Sequence, residues 1–250
     1  MKDILVVSHE RSRTHFVINT FGNCFGFDIN QIDVPPTTNK DVLLKFFENY
    51  KPTGKNILKS HHQFETLHQF KNIIEEKFKM FYVIREGRDT LTSCHFYFNK
   101  AGAEFPFTKT VGDLIRQNPQ RFSFDAAYSD LRSNTMVERW ARHVCSFSRD
   151  FYRDYMFTLI NSDHLYINYK DVVNFMAFVL NEKPSSYLRP IVGKSRSVAP
   201  RKGIIGDFIE HFSDTDDEFF FKEVSKIDSK DELYNCFLSK SKIYAEYRGE

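Results

Sequence analysis

The sequence predicts an α/β protein, a single domain with a central, mostly parallel sheet flanked by helices. Strand-length aliphatic runs alternate with segments of helical period. The stretches richest in Arg, Ser and Gly follow those runs, where ligands gather in folds of this class. With 250 residues the chain can build one sizeable core, although the length alone also fits two smaller domains.

Residues 4–7 form a β-branched and aliphatic run, followed by a polar loop over 8–13 and a helix over 14–21. A turn-rich stretch at 33–39, containing Pro35-Pro36, precedes a helix over 40–50, and a break at 52–55 leads to a strand over 56–59. Phe64, Leu67, Phe70, Ile73 and Ile74 recur at helical spacing within 63–78, and 80–84 reads as a continuous apolar strand. A helix follows over 87–98. Residues 99–135 mix Gly, Pro, Asn and Ser with short helical pieces and read as an inserted lid or acceptor-binding region within a domain spanning 1–250. A long helix over 136–155 and a strand over 164–168 restore the alternation, and the acidic, aromatic run 214–221 reads as an amphipathic surface helix.

Composition narrows the function classes. The aromatic share is 16%, led by 27 Phe against one Trp, which a bulky core explains. A net charge of +2 is too small for a domain that coats nucleic acid, so any anion must be bound by a few placed Arg and Lys residues. Cys24, Cys94, Cys145 and Cys236 lack zinc-ligand spacing and read as reduced thiols, so no metal is expected. The N-terminal apolar run is too short for an export signal and no run is long enough to span a bilayer, so the expected location is cytoplasmic, with no membrane partner.

Three basic segments carry the chemistry. The loop Ser8-His9-Glu10-Arg11-Ser12-Arg13-Thr14 joins a strand to a helix, where main-chain N–H groups and the helix dipole favour an anion. It lacks the glycines and lysine of a Walker A loop, which removes the main support for an ATPase or kinase. Arg85 stands at the tip of the 80–84 strand with Ser93 about two helical turns beyond. Arg201-Lys202-Gly203-Ile204-Ile205-Gly206-Asp207-Phe208 sets two cations beside a glycine that allows close backbone approach.

This last segment, with Phe212 four residues after Phe208, resembles the nucleotide-binding signature of sulfotransferases that use 3'-phosphoadenosine 5'-phosphosulfate (PAPS). The other pieces fall in that family's order. Arg11-Ser12 resembles its 5'-phosphosulfate loop, and Arg85 with Ser93 keeps its spacing for the 3'-phosphate. Lys59-Ser60-His61 resembles its Lys-Thr-His, and Tyr166-Ile167-Asn168-Tyr169-Lys170-Asp171 its aromatic-Glu-Asp segment. The resemblance implies a P-loop-like sulfotransferase fold, PAPS as sulfuryl donor and PAP as product.

It also implies roles. Arg11, Ser12, Arg13 and Thr14 would hold the 5'-phosphate, and Arg85, Ser93, Arg201, Lys202 and Gly203 the 3'-phosphate, with Tyr169 or Trp140 against adenine. His61 would be the general base, since histidine accepts a proton near neutral pH, with His62 as substitute if the register slips by one. Lys59 would neutralise charge on the transferring group. The chain departs from the pattern at Arg13, where the family often has Gly, at Arg11 for Lys, at Phe208 for Trp, and in lacking Pro after His61.

A PAPS- or PAP-binding module without catalysis is the rival reading from another class. The acceptor would be a hydroxyl of a small molecule, a carbohydrate or a peptide, with Phe96, Phe98, Phe105 and Phe107 as candidate lining. Ile209, Ser213, Asp214 and Glu218 stand where cytosolic relatives carry a Lys, Thr-Val, Glu dimer motif, and only Glu218 agrees with it, so that dimer contact is expected to be absent.

Overall fold

The computed structural model describes residues 2–101, 105–122, 133–154, 156–191 and 204–227. Strands β1 (Asp3–Ser8), β2 (Ile32–Asp33), β3 (Ile57–Ser60), β4 (Phe78–Ile84) and β5 (Phe157–Asn161) form one sheet in the order β2-β3-β1-β4-β5. All of these pairings are parallel. The helices are α1 (Thr14–Phe25), α2 (Lys40–Asn49), α3 (Phe64–His68), α4 (Lys71–Lys77), α5 (Gly87–Ala101), α6 (Val111–Ile115), α7 (Met136–Asp154), α8 (Ser162–Ile167), α9 (Tyr169–Leu180) and α10 (Asp214–Ile227).

The period of two along each strand divides the apolar residues between two cores. Ile4, Val6, Phe81, Val83 and Ile160 pack with Val17 and Phe21 of α1 and with Val173 and Met176 of α9. Leu5, Val7, Tyr82 and Ile84 pack with Leu91 and Cys94 of α5, Trp140 of α7 and Phe220 of α10. The helix after β1 therefore covers one face and the helix after the neighbouring β4 covers the other. The carboxyl ends of those two strands are therefore the switch point of the sheet, where α/β folds take their ligands.

Three expectations need correction. The strand expected over 164–168 is helical, and β5 lies earlier, at Phe157–Asn161. Asn161 ends the strand and caps α8, its side chain accepting from the N–H groups of Asp163 at 2.9 Å and His164 at 3.0 Å. The helix expected over 63–78 breaks into α3 and α4, and the break seats the buried Phe70 on Phe47, ring centroids 5.5 Å apart. The apolar run of β4 also begins two residues sooner than its periodicity implied, at Phe78. Within the expected insertion, α6 and a short 3-10 turn at Pro119–Phe122 are helical, while 102–104 and 123–132 lie outside the described residues.

Gly87 starts α5 directly against two buried rings. A Cβ there would lie 2.7 Å from Phe220 and 2.8 Å from Trp140, both fully buried and unable to swing away. Gly87→Ala should lower stability by about 1–3 kcal/mol through overpacking. A reduced denaturant midpoint at unchanged slope is the expected reading.

Candidate functional site

The loop after β1 runs through two left-handed residues, Arg11 at φ 65° and Arg13 at φ 61°. Such values are costly for long L side chains, by about 1–3 kcal/mol each. Alternation of positive and negative φ turns successive main-chain N–H groups toward one side, the arrangement of an anion-binding nest. The Ser8 and Thr14 hydroxyls share a 2.6 Å hydrogen bond that closes the loop at its base.

Arg85 enters from the end of β4. Its Nη1 donates to the Arg11 carbonyl at 3.2 Å, its Nη2 to the Ile204 carbonyl at 3.3 Å, and Arg11 Nε donates to Ser93 Oγ at 3.2 Å. The fully buried Asp89 carboxylate accepts from the N–H groups of Gly206 at 2.9 Å and Phe208 at 3.1 Å, and lies 3.6 Å from Arg85. Arg88 covers the Phe208 ring at 3.9 Å. Arg11, Arg13, Ser12, Thr14, Arg85 and Ser93 are thus brought to one place, together with the segment that begins at Ile204. Arg201, Lys202 and Gly203 lie outside the described residues.

Lys59 and His61 follow from β3, next to β1. Lys59 pairs with Asp33 of β2 at 2.9 Å. His61 Nδ1 donates to the Ser8 carbonyl at 2.7 Å, which puts the ring proton on Nδ1 and makes Nε2 the basic nitrogen. Burial, reinforced by Lys59 and Arg139, holds the His61 pKa below the ordinary histidine value, against the opposing pull of Glu10 and the Ser8 hydrogen bond. His62 is fully buried, its ring bonded to Ser60 Oγ at 2.7 Å and to the Thr37 carbonyl at 3.0 Å, and burial drives its pKa to about 4.

Sequence reasoning missed a buried cluster beside this histidine. Arg139 of α7 holds Glu10 through two contacts, 2.6 and 2.9 Å, and donates to His9 Nε2 at 2.8 Å. The Glu10 carboxyl stays well below its usual range, because Arg139 and the neighbouring histidines outweigh the cost of burial. Desolvation lowers His9 to about 4, so it is neutral. His143 bonds to the His61 carbonyl at 3.1 Å through Nε2 and to the Tyr82 hydroxyl at 3.1 Å through Nδ1. The only sequence signal was the spacing of Arg139 and His143, four apart on one helix face.

Both aromatics proposed for adenine are core residues. Trp140 is fully buried against Phe220. Tyr169 packs against Phe16 and its hydroxyl donates to the Leu188 carbonyl at 3.1 Å. Tyr166 lies closer to the cations, with Arg189 4.0 Å and Arg13 5.2 Å from its ring. Among the acceptor candidates, Phe98 is buried in a stack with Phe105 and Phe122, whereas Phe96 and Phe107 are exposed. Asp207 of the signature segment lies with Glu210 and His211 so that three ligand-type atoms fall within 4.8 Å, a grouping the sequence reading did not point to.

A family model described as Sulfotransferase domain matches residues 2–196. The chain belongs to the sulfotransferase family. No curated protein sequence matches this sulfotransferase chain closely enough to count as a relative. Among solved structures it is similar to mouse sulfotransferase SULT7A1 complexed with PAP, at 16% identity and TM-score 0.64, over 94% of this chain and 87% of that one. It is also similar to retinol dehydratase in complex with androsterone and PAP, at 13% identity and TM-score 0.57, over 92% and 82%. These likenesses establish the sulfotransferase fold. Among the described residues no helix is long and apolar enough to cross a membrane.

Asp89 is the test of how the last segment docks. Asp89→Ala strips two buried N–H groups of their acceptor and Arg85 of a countercharge 3.6 Å away, which should destabilise the domain by about 3–5 kcal/mol. Hydrogen exchange should then quicken first at Gly206 and Phe208. On acidification, His9 and His62 take up protons more readily unfolded than folded, so stability present above about pH 6.5 should decline as pH falls toward 4.

Proposed function

We propose that this chain transfers a sulfuryl group from PAPS to an acceptor hydroxyl by in-line displacement, with His61 as general base. The observation that carries the reading is the gathering of Arg11, Arg85, Ser93 and the Ile204 end of the nucleotide-signature segment beside His61. The residues fit a polyanion. Arg85 Nε is buried without a hydrogen-bond partner among the described residues, and a buried guanidinium N–H is costly unless something accepts from it.

Arg11, Ser12 and Thr14, with the main chain at Arg13, would hold the 5' end, and Arg85, Ser93, Arg201, Lys202 and Gly203 the 3'-phosphate. The nucleotide, when bound, supplies the activated sulfuryl group, and its product is PAP. His61 Nε2 takes the acceptor proton, while Ser8 and His143 fix the histidine from ring and backbone. Lys59 contributes positive charge from the same strand end. Because a similarly folded enzyme is solved with androsterone, a small hydroxylated molecule is the acceptor class we favour, ahead of a carbohydrate or a peptide.

Titration calorimetry with PAP, followed by labelled-sulfate transfer to a panel of phenols, alcohols, sugars and peptides, tests the reading. Absence of PAP binding would sink it, and binding without transfer to any acceptor would favour the non-catalytic module. His61→Ala should lower kcat by about 10²–10⁴ while leaving PAP affinity nearly unchanged. Because the base is active when neutral and its pKa is depressed, the acid limb of kcat/KM should fall below the ordinary histidine value of about 6.5.

A further inference from the structure

We propose that Arg13 is a positioning residue that clasps the loop after β1 to the segment entering at Ile204, and thereby sets the preference for a nucleotide bearing a 3'-phosphate. The inference rests on the donor assignment above and concerns the one position where the chain departs most sharply from its family. Glycine adopts a left-handed backbone at no steric cost, whereas arginine at φ 61° does not. Strain at such a position is the reason to ask what its side chain holds.

The side chain is 8% exposed and its fork is committed on both prongs. Nη1 forms an ion pair with the buried Asp163, and Nη2 donates to the Ile204 carbonyl at 3.2 Å. That same carbonyl receives Arg85 Nη2 at 3.3 Å, so two guanidiniums from two strand ends close on one oxygen. The second oxygen of Asp163 accepts from the Glu86 N–H at 3.1 Å, tying the start of α8 to the residue that follows Arg85. One side chain therefore joins the ends of β1 and β5 to Ile204, on the carbonyl that also receives Arg85.

This geometry separates two roles for a cation at position 13. A direct phosphate ligand would strengthen the grip on the 5' end, common to every adenosine 5'-phosphosulfate. A clasp at Ile204 acts through Arg85, which shares that carbonyl and which the donor assignment sets on the 3'-phosphate, a group only a 3'-phosphorylated nucleotide presents. Lysine keeps the charge but lacks the planar fork needed to serve a carboxylate and a carbonyl together.

Calorimetry at fixed salt on the full chain and on Arg13→Gly, Arg13→Lys and Asp163→Asn, using PAPS and its analogue without the 3'-phosphate, adenosine 5'-phosphosulfate, tests the clasp. Arg13→Gly should weaken PAPS by about ten- to hundredfold and the analogue by much less, so that the ratio of the two affinities collapses. Arg13→Lys and Asp163→Asn should shift the ratio in the same direction, and they keep the test available if the glycine variant folds poorly. Unchanged or tighter PAPS binding by Arg13→Gly would overturn the proposal, since arginine would then be merely tolerated. Equal losses for both nucleotides would overturn it in favour of a direct 5' contact. Failure of the unmodified protein to bind either nucleotide would instead bring down the donor assignment, and the clasp with it.

Discussion

Packing the guanidinium groups of Arg11, Arg13 and Arg85 into one largely buried region is the constraint from which the rest of the site follows. Like charges so placed repel, and burial removes the water that would screen them. Both effects depress the pKa values of Arg11 and Arg13. Asp89 and Asp163 supply the nearest countercharge, and the same two carboxylates accept main-chain N–H groups from Gly206, Phe208 and Glu86. Charge compensation and loop placement are thus made by the same contacts. Two carboxylates against three guanidiniums leave this set of side chains positive, as a site for a multiply charged anion requires.

A second buried pair does comparable work beside His61. Glu10 and Arg139 are each costly alone in the interior and stable together, and their two-pronged contact keeps the loop after β1 attached to α7. His9 is kept neutral next to them, which avoids a further buried cation. His143 is locked between Tyr82 and the His61 backbone, so helix α7 sets both the electrostatics and the placement of the histidine after β3. The orientation of that one ring accordingly depends on contacts from β1, β4 and α7.

Strands β1, β3 and β4 were legible because a buried parallel strand is a continuous apolar run, and the phosphate loop because it follows one. β5 was misread because 157–160 adjoins the end of a long amphipathic helix, while 164–167 carries equally apolar residues. The deciding signal was the polar residue between them, Asn161, whose capping role depends on a helix forming next. The order and spacing of Arg11, Lys59, His61, Arg85 and Ser93 were readable from resemblance. Arg139, Asp163 and Asp89 were not, since their partners are 129, 150 and 117 residues distant and no local period announces such pairs.

The departures from the family pattern differ in weight for a physical reason. At position 208 the segment is anchored through its own main-chain N–H to Asp89, a contact any residue can make, and through a ring face under Arg88, which phenylalanine offers as tryptophan does. The guanidinium of Arg88 is held in place independently, by Glu86 at 2.7 Å and Asp217 at 3.1 Å. Replacing one ring by another there changes contact area and little else. At position 13 the backbone itself is left-handed, so exchanging glycine for arginine adds strain before any contact forms. The contacts to Asp163 and Ile204 offset part of that strain, which is why the departure at position 13 carries more structural consequence than the one at 208.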